Sequence, residues 1–343
     1  MTLPDPPAPR KRRLGLYLPF AIVVLVALVY SAGWFWLRME AGRQLDLTAE
    51  SLRQQGYSLT WKSRTFGGYP FRLDASFEDV TIRDPSGWAL TAPRLDAEAF
   101  VYALNHWVAT APQGVTFIRP RGGPVVVRAE VLRASLVDPS AHIPRLSVEG
   151  HKLTFAPAPG AQPFALASAE DLQFHVLPGP NNEGGLFFRL DGAKAAADTL
   201  VGRIAGAKPV SVQLDLIISK ASALAGDSWA NAWRAWSRAG GAITVRTGGM
   251  TAGDAVVTLS AAGPLTVGPD GRVIGAVNIA LKKAPAVITA MGVSGAIPPD
   301  AALAAGAVAL ARTEGDSAQI NLQFQAGVTT LGPVIVAPAP KVF

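Results

Sequence analysis

No cysteine occurs in the 343-residue chain. Disulfides, thiolate zinc sites, iron–sulfur clusters and cysteine nucleophiles are therefore excluded, and the compartment cannot be read from redox chemistry. Histidine is nearly as scarce: His106, His142, His151 and His175 are the full set, and their separations match no local ligand pattern. The HExxH, GxSxG, GxxxxGK[ST] and GxGxxG signatures are absent as well, and with them the usual zinc helix, nucleophile elbow and phosphate cradles. Gly226-Asp227-Ser228 resembles a nucleophile motif only superficially, since Asp227 or Ser228 reads better as a helix N-cap. Glu78-Asp79 and Glu170-Asp171 are sequence neighbours, and on a strand neighbours point to opposite faces. No catalytic, cofactor-binding or metal-binding residue is expected, and the chain reads as non-enzymatic with no cofactor.

Charge is also thin, at 16% of residues. The net +6 shrinks further when it is divided along the chain, because Arg10, Lys11, Arg12 and Arg13 against Asp5 give residues 1–13 a net +3 of their own. The remaining +3 is spread over 330 residues and tracks no phosphate backbone, so nucleic acid is not an expected partner. A content of 49% hydrophobic residues excludes a disordered tail. The 34 glycines and 27 prolines exclude a long helical bundle, since each costs roughly 1 and 3 kcal/mol in a helix interior.

What is present begins with one long apolar run. Leu14–Leu37 carries no charge over 24 residues, about 36 Å of helix, enough to span a bilayer. The four basic residues before it place the N-terminus on the cytoplasmic side, and Trp34, Phe35 and Trp36 resemble an interfacial aromatic belt at the far end. A cleaved signal peptide ending near Ser31-Ala32-Gly33 is the competing reading. Residues 38–56 continue as an amphipathic helix ending at Gly56, either a stalk or a cap on the open end of the β-domain after it.

Beyond Tyr57 the period falls to two. Phe71, Leu73, Ala75 and Phe77 alternate with polar residues, then the apolar phase slips to Val80 and Ile82, as at a β-bulge or where a strand crosses between faces. Val210, Val212, Leu214, Leu216 and Ile218 form a second set, and Ile320, Leu322 and Phe324 a third. Further strands are expected at 125–138, 145–156, 166–177, 186–191, 243–247, 255–261 and 273–281, with a hairpin over Gly263–Ile279 turning at Pro269-Asp270-Gly271. Intervals too short for crossover helices make the pairing antiparallel. Two helical interruptions are expected. Asp227–Ala239 carries Trp229, Trp233 and Trp236 on one stripe, which either packs on the sheet or contacts lipid as an interface helix. Pro285–Gly292 and Pro299–Ala311 form a helical hairpin covering a sheet edge. The expected fold is mainly β: an N-terminal transmembrane helix, then a curved antiparallel sheet over residues 57–343, an open groove or a partly closed barrel, with a few short packing helices and a sub-boundary near 205–208.

Three stretches carry a family resemblance: Phe66-Gly-Gly-Tyr-Pro-Phe-Arg-Leu73, Trp236-Ser-Arg-Ala-Gly-Gly-Ala-Ile-Thr-Val245 with the hairpin after it, and Gly327-Val-Thr-Thr-Leu-Gly-Pro-Val-Ile335. In this order they resemble an uncharacterised alphaproteobacterial family, domain of unknown function 2125, over nearly the whole chain. Its strand grammar is similar to that of AsmA-like envelope proteins. The resemblance implies a protein anchored in the bacterial inner membrane by a single pass, with most of its mass in the periplasm, and a curved sheet that binds lipid or a hydrophobic segment of an envelope protein partner. The residues expected to line the groove are Phe71, Leu73, Phe77, Val212, Leu214, Leu216, Ile320, Leu322 and Phe324. A closed-core structural or assembly factor is the alternative, and an envelope hydrolase a third for which no polar site is found.

Overall fold

The computed structural model describes residues 14–226 and 228–343, with side chains from Tyr17 onward. The basic tail 1–13, with Arg10 to Arg13, and Asp227 lie outside the described residues. Helix α1 (Leu14–Gln54) joins the apolar run and the amphipathic segment into one rod, since nothing between Leu37 and Arg38 breaks it. It stops where expected: Gly56 takes φ +84°, and the Tyr57 amide bonds back to the Leu52 carbonyl at 2.9 Å.

The strands come in the order β1 (Ser58–Thr60), β2 (Ser63–Gly67), β3 (Arg72–Arg83), β4 (Ala89–Phe100), β5 (His106–Thr110), β6 (Val115–Arg119), β7 (Gly123–Arg128), β8 (Val131–Val137), β9 (Arg145–Pro157), β10 (Leu166–Pro178) and β11 (Gly184–Ala195). Helix α2 (Leu200–Ala205) leads to β12 (Val210–Ile218), and α3 (Trp229–Arg238) to β13 (Ile243–Ala252), β14 (Ala255–Ala261), β15 (Thr266–Val267) and β16 (Val273–Lys282). Helices α4 (Ala284–Val293) and α5 (Pro299–Ala311) precede β17 (Thr313–Glu314), β18 (Ser317–Gln325), β19 (Val328–Leu331) and β20 (Val334–Pro338).

These strands make one antiparallel sheet in nearly sequential order. Strands β1 and β2 share β3 as partner, β5 and β6 share β4, and β7 and β8 share β9. From β9 the order runs β10, β11, β12, β13, β14, β16, β18, β19, β20. At the two ends, β1 and β2 pair with β3 and β20 pairs with β19, so the sheet is open and not a closed barrel. Strands β11 and β12 pair directly across 205–208, with α2 inserted there and packed on the sheet, its Ala205 buried with Leu190, Val210 and Ala252. The expected strand 125–138 is β7 and β8 in one register on β9, interrupted at 129–130.

The slip seen at Val80 recurs at the same level further along the sheet, in β9 and β11. The buried set passes from Leu73 and Ala75 to Val80 across Asp79 (φ +49°), from Gly150 to Leu153 across Lys152 (φ +50°), and from Leu190 to Ala193 across Gly192 (φ +58°). Between β3 and β4 the partner strands slip together, Glu78 facing Arg94 and Val80 facing Ala92, whereas at Gly192 strand β11 carries one residue more than β12 between the pairs Leu190–Val212 and Ala193–Val210, a β-bulge. The line of left-handed residues is a crease that keeps the apolar side chains on one face as the strands bend.

The helices cover the ends of that face. Helices α4 and α5 lie over β14 to β20, burying Ile288, Ala305 and Ala309 against Leu281, Ile320 and Leu331. Helix α3 buries Trp233 and Trp236 against Val267, beside Ile218 and Phe343. Helix α1 packs along β1 and β2, burying Trp34 and Ala49.

Candidate functional site: an apolar trough

The ladder registers align one apolar residue per strand across most of the sheet. Phe66, Ala75, Ala97, Ala109, Ala134, Val148, Phe174, Phe188, Leu214, Gly248, Leu259, Ile279 and Ile320 are successive cross-strand partners. Directly paired residues share a face. At about 4.8 Å per strand the row is roughly 58 Å long. The row one pair further on carries Leu172, Leu190, Val212, Met250, Val257 and Leu281, so the apolar band is several side chains wide. The opposite face bears Arg133, Glu149, Gln173, Arg189 and Gln213 in the same alignment.

Burial along the row is uneven. Ile320 is 6% exposed beneath α5, whereas Val148, Phe174 and Leu214 are half-buried and belong to no buried cluster among the described residues. Gly248 lets its neighbours meet: a Cβ there would lie 3.2 Å from Leu214 Cδ1 and 3.1 Å from Leu259 Cβ. The middle of the face, from β8 to β12, thus carries a half-buried apolar strip at Val148, Phe174 and Leu214, which we read as a shallow trough between the parts that helices cover.

Eight of the nine expected groove residues lie on this face. Leu73 and Phe77 come from β3, Val212, Leu214 and Leu216 from β12, and Ile320, Leu322 and Phe324 from β18. Leu73, Ile320 and Phe324 are buried; Leu216 packs against the cluster of Val245, Val277, Phe324 and Ala339, whereas Leu214 is half-buried outside the buried clusters of the described residues. Phe71 is the exception: it precedes β3, 66% exposed at the tip of the β2–β3 hairpin. Phe174, Val148 and Phe188 were not singled out from the sequence, although their strands were, because only cross-strand register shows which of two mixed faces a residue joins. Of the α3 tryptophans, Trp233 and Trp236 are core, the latter completely buried with its indole N–H donating to the Ser219 carbonyl at 2.7 Å. Trp229 is 57% exposed and donates to the Val342 carbonyl.

The polar groups are dispersed. His151 Nδ1 lies 2.8 Å from Asp171, His106 Nε2 lies 3.0 Å from Ser135 Oγ, and His175 stacks on Phe187. Among the described residues no three His, Asp or Glu side chains converge as a metal site would require. Where α1 leaves its apolar run, a cleft of about 500 Å³ opens between Arg38, Arg43, Asp46, Arg64 and Phe66, the first residue of the apolar row. There Arg64 grips Asp46 through two bonds of 2.6 and 2.7 Å and holds that carboxyl below its ordinary range. Glu40 is pulled down to about 2 by hydrogen bonds from Arg43 and Gln44.

The sequence matches a bacterial family, DUF2125, described as an uncharacterized protein conserved in bacteria, over residues 34–340. The chain belongs to that family. The matched region of this DUF2125 protein starts at Trp34, the first α1 residue buried on the sheet, and takes in every strand. No curated protein and no solved structure matches the chain. Helix α1 is long and apolar enough to cross a bilayer, with a window of mean hydropathy 2.2 that is 6% buried.

Proposed function

We propose that this protein is held in the bacterial inner membrane by α1, with its sheet in the periplasm, and that the apolar trough binds the acyl chains of a lipid. The single observation that carries this reading is the unbroken apolar row, only partly buried at Val148, Phe174 and Leu214 while Ala75 and Ile320 towards its ends are buried. Uncovered apolar surface costs about 25 cal/mol per Å², so a run of partly exposed apolar side chains on a folded protein is a candidate binding surface. Acyl chains fit a trough without polar groups, because they need no hydrogen-bond partner. The direction of α1, with basic residues before the span, supports the periplasmic side. The likeness in strand grammar to AsmA-like proteins belongs to the same reading, and no catalytic step is assigned to it.

The test is photo-crosslinking in cells carrying the full chain and radiolabelled phospholipid. A benzophenone side chain at Leu214 should capture lipid, and one at Gln213, its neighbour on the polar face, should not. Adducts at neither position would reject the lipid reading, and a protein adduct at Leu214 alone would favour a hydrophobic segment of an envelope partner.

A further inference from the structure

The end of the sheet beside α1 is rimmed with exposed aromatic residues. Tyr69 and Phe71 occupy the β2–β3 turn, and Phe100 and Tyr102 the β4–β5 turn; they are 52, 66, 48 and 77% exposed. The two turns are tied together, since the Val101 amide donates to the Phe71 carbonyl at 3.0 Å and Phe100 stacks on Tyr102 with centroids 5.1 Å apart.

This rim is fixed at one height on α1. The Tyr30 hydroxyl donates to the Pro70 carbonyl at 2.6 Å, Ser31 Oγ lies 2.7 Å from the Tyr69 hydroxyl, and the Trp34 indole donates to the Arg72 carbonyl at 2.9 Å. Tyr69 also packs edge-on to Trp34 and stacks on Phe35. All these α1 residues lie inside the apolar run Leu14–Leu37. The turn therefore meets the helix before the run ends, and the backbone carbonyls it brings there are bonded by the helix's own side chains. That is what a turn near hydrocarbon requires.

We propose that these two turns rest in the water–membrane interface of the leaflet that α1 crosses, so that the bilayer surface lies near Tyr30 and the sheet stands on the membrane by its aromatic rim. The inference rests on α1 spanning the bilayer. Leu14 to Tyr30 provides about 25 Å of helix, the lower end of what a span needs. Tyr and Phe suit that depth, with an apolar ring and, for Tyr, a polar tip. Charges begin immediately beyond it, where Arg72 bridges Asp74 and Glu98. Of the aromatic belt expected from the sequence, Phe35 and Trp36 are exposed, whereas Trp34 is 5% exposed and belongs to the protein core; the β-domain adds aromatic residues of its own.

The absence of cysteine makes the test direct. Phe71→Cys, Tyr102→Cys, Leu25→Cys within the span and Leu303→Cys on α5, 80% exposed, are each labelled with a polarity-sensitive fluorophore. The full chain is then reconstituted in vesicles of phosphatidylcholine and phosphatidylglycerol. Labels at 71 and 102 should emit to the blue of the label at 303 and lose emission to lipids carrying a quencher near the headgroup, and the label at 25 should lose it to a deep quencher. Quenching at 25 with none at 71 and 102 overturns the inference and leaves the span intact. No quenching at 25 removes the span itself. Blue-shifted but unquenched labels at 71 and 102 mean that protein covers the rim, and also overturn it.

Discussion

Leu214 and Ile320 lie in the same row of one sheet, on the same face, and differ in what lies above them. Ile320 is covered by the Ala-rich pair α4 and α5, whose small side chains let the helices sit close to the strands. Leu214 has Phe188 and Gly248 beside it and belongs to none of the buried clusters among the described residues. Alternation alone says that one face is apolar; whether protein covers that face depends on where the chain places helices, and here α2 reaches Leu190, Val210 and Ala252 without including Leu214 in its cluster.

The comparison is broken most forcefully by putting a charge at each position. Ile320→Asp would bury an unpaired carboxylate and should cost several kcal/mol, on the order of 3 or more, enough to lower the melting temperature sharply. Leu214→Asp should leave melting nearly unchanged and abolish lipid crosslinking from Phe174, its neighbour across β11. Equal loss of stability in both variants would mean that the trough is closed.

A smaller effect is expected at the membrane-proximal turn, where two adjacent glycines differ. Gly68 has φ +93°, and a Cβ there would meet the Arg72 carbonyl oxygen at 2.7 Å; Gly67 has no atom within 4 Å. Gly68→Val should destabilise by about 1–2 kcal/mol or more, and Gly67→Val by much less. Thermal melts of the two variants decide this, and matching melts would remove the argument that the turn demands glycine.

The smallest effect concerns the lower half of α1. Arg64 lowers the Asp46 carboxyl, so the folded state binds this proton less readily than the unfolded one. The contact is therefore complete above the ordinary carboxylate range and is lost as pH falls through the lowered value. Spin-label mobility at Gln44 should rise on acidification below about pH 4. Asp46→Asn should already show part of that rise at neutral pH; a label that ignores both changes would show that this ion pair does not hold the helix.

Much of this fold was legible in the sequence. The long apolar helix, the long strands after residue 145, the helical hairpin and the turn at Asp270-Gly271 each have a local cause. The short strands β5 and β6 and the long strand β4 were missed, since Ala89–Phe100 mixes Pro93 and the charged Arg94, Asp96 and Glu98 among alanines and shows no clean alternation. The slip at Val80 was visible at one point only; its repetition at Lys152 and Gly192 becomes a crease once register aligns the strands. Burial of Trp34 was hidden for the same reason, since its partner, the Arg72 carbonyl, is 38 residues away.

The account stands on the trough being open at its centre and filled by lipid, and thiol accessibility measures that directly. Leu214→Cys and Ile320→Cys, each the sole cysteine of the full chain, are exposed to a water-soluble maleimide after lipid has been stripped away with detergent and again after phospholipid has been added back. The account predicts rapid labelling at 214 that phospholipid slows, and no labelling at 320 under either condition. Protection of both positions in the stripped protein would contradict it.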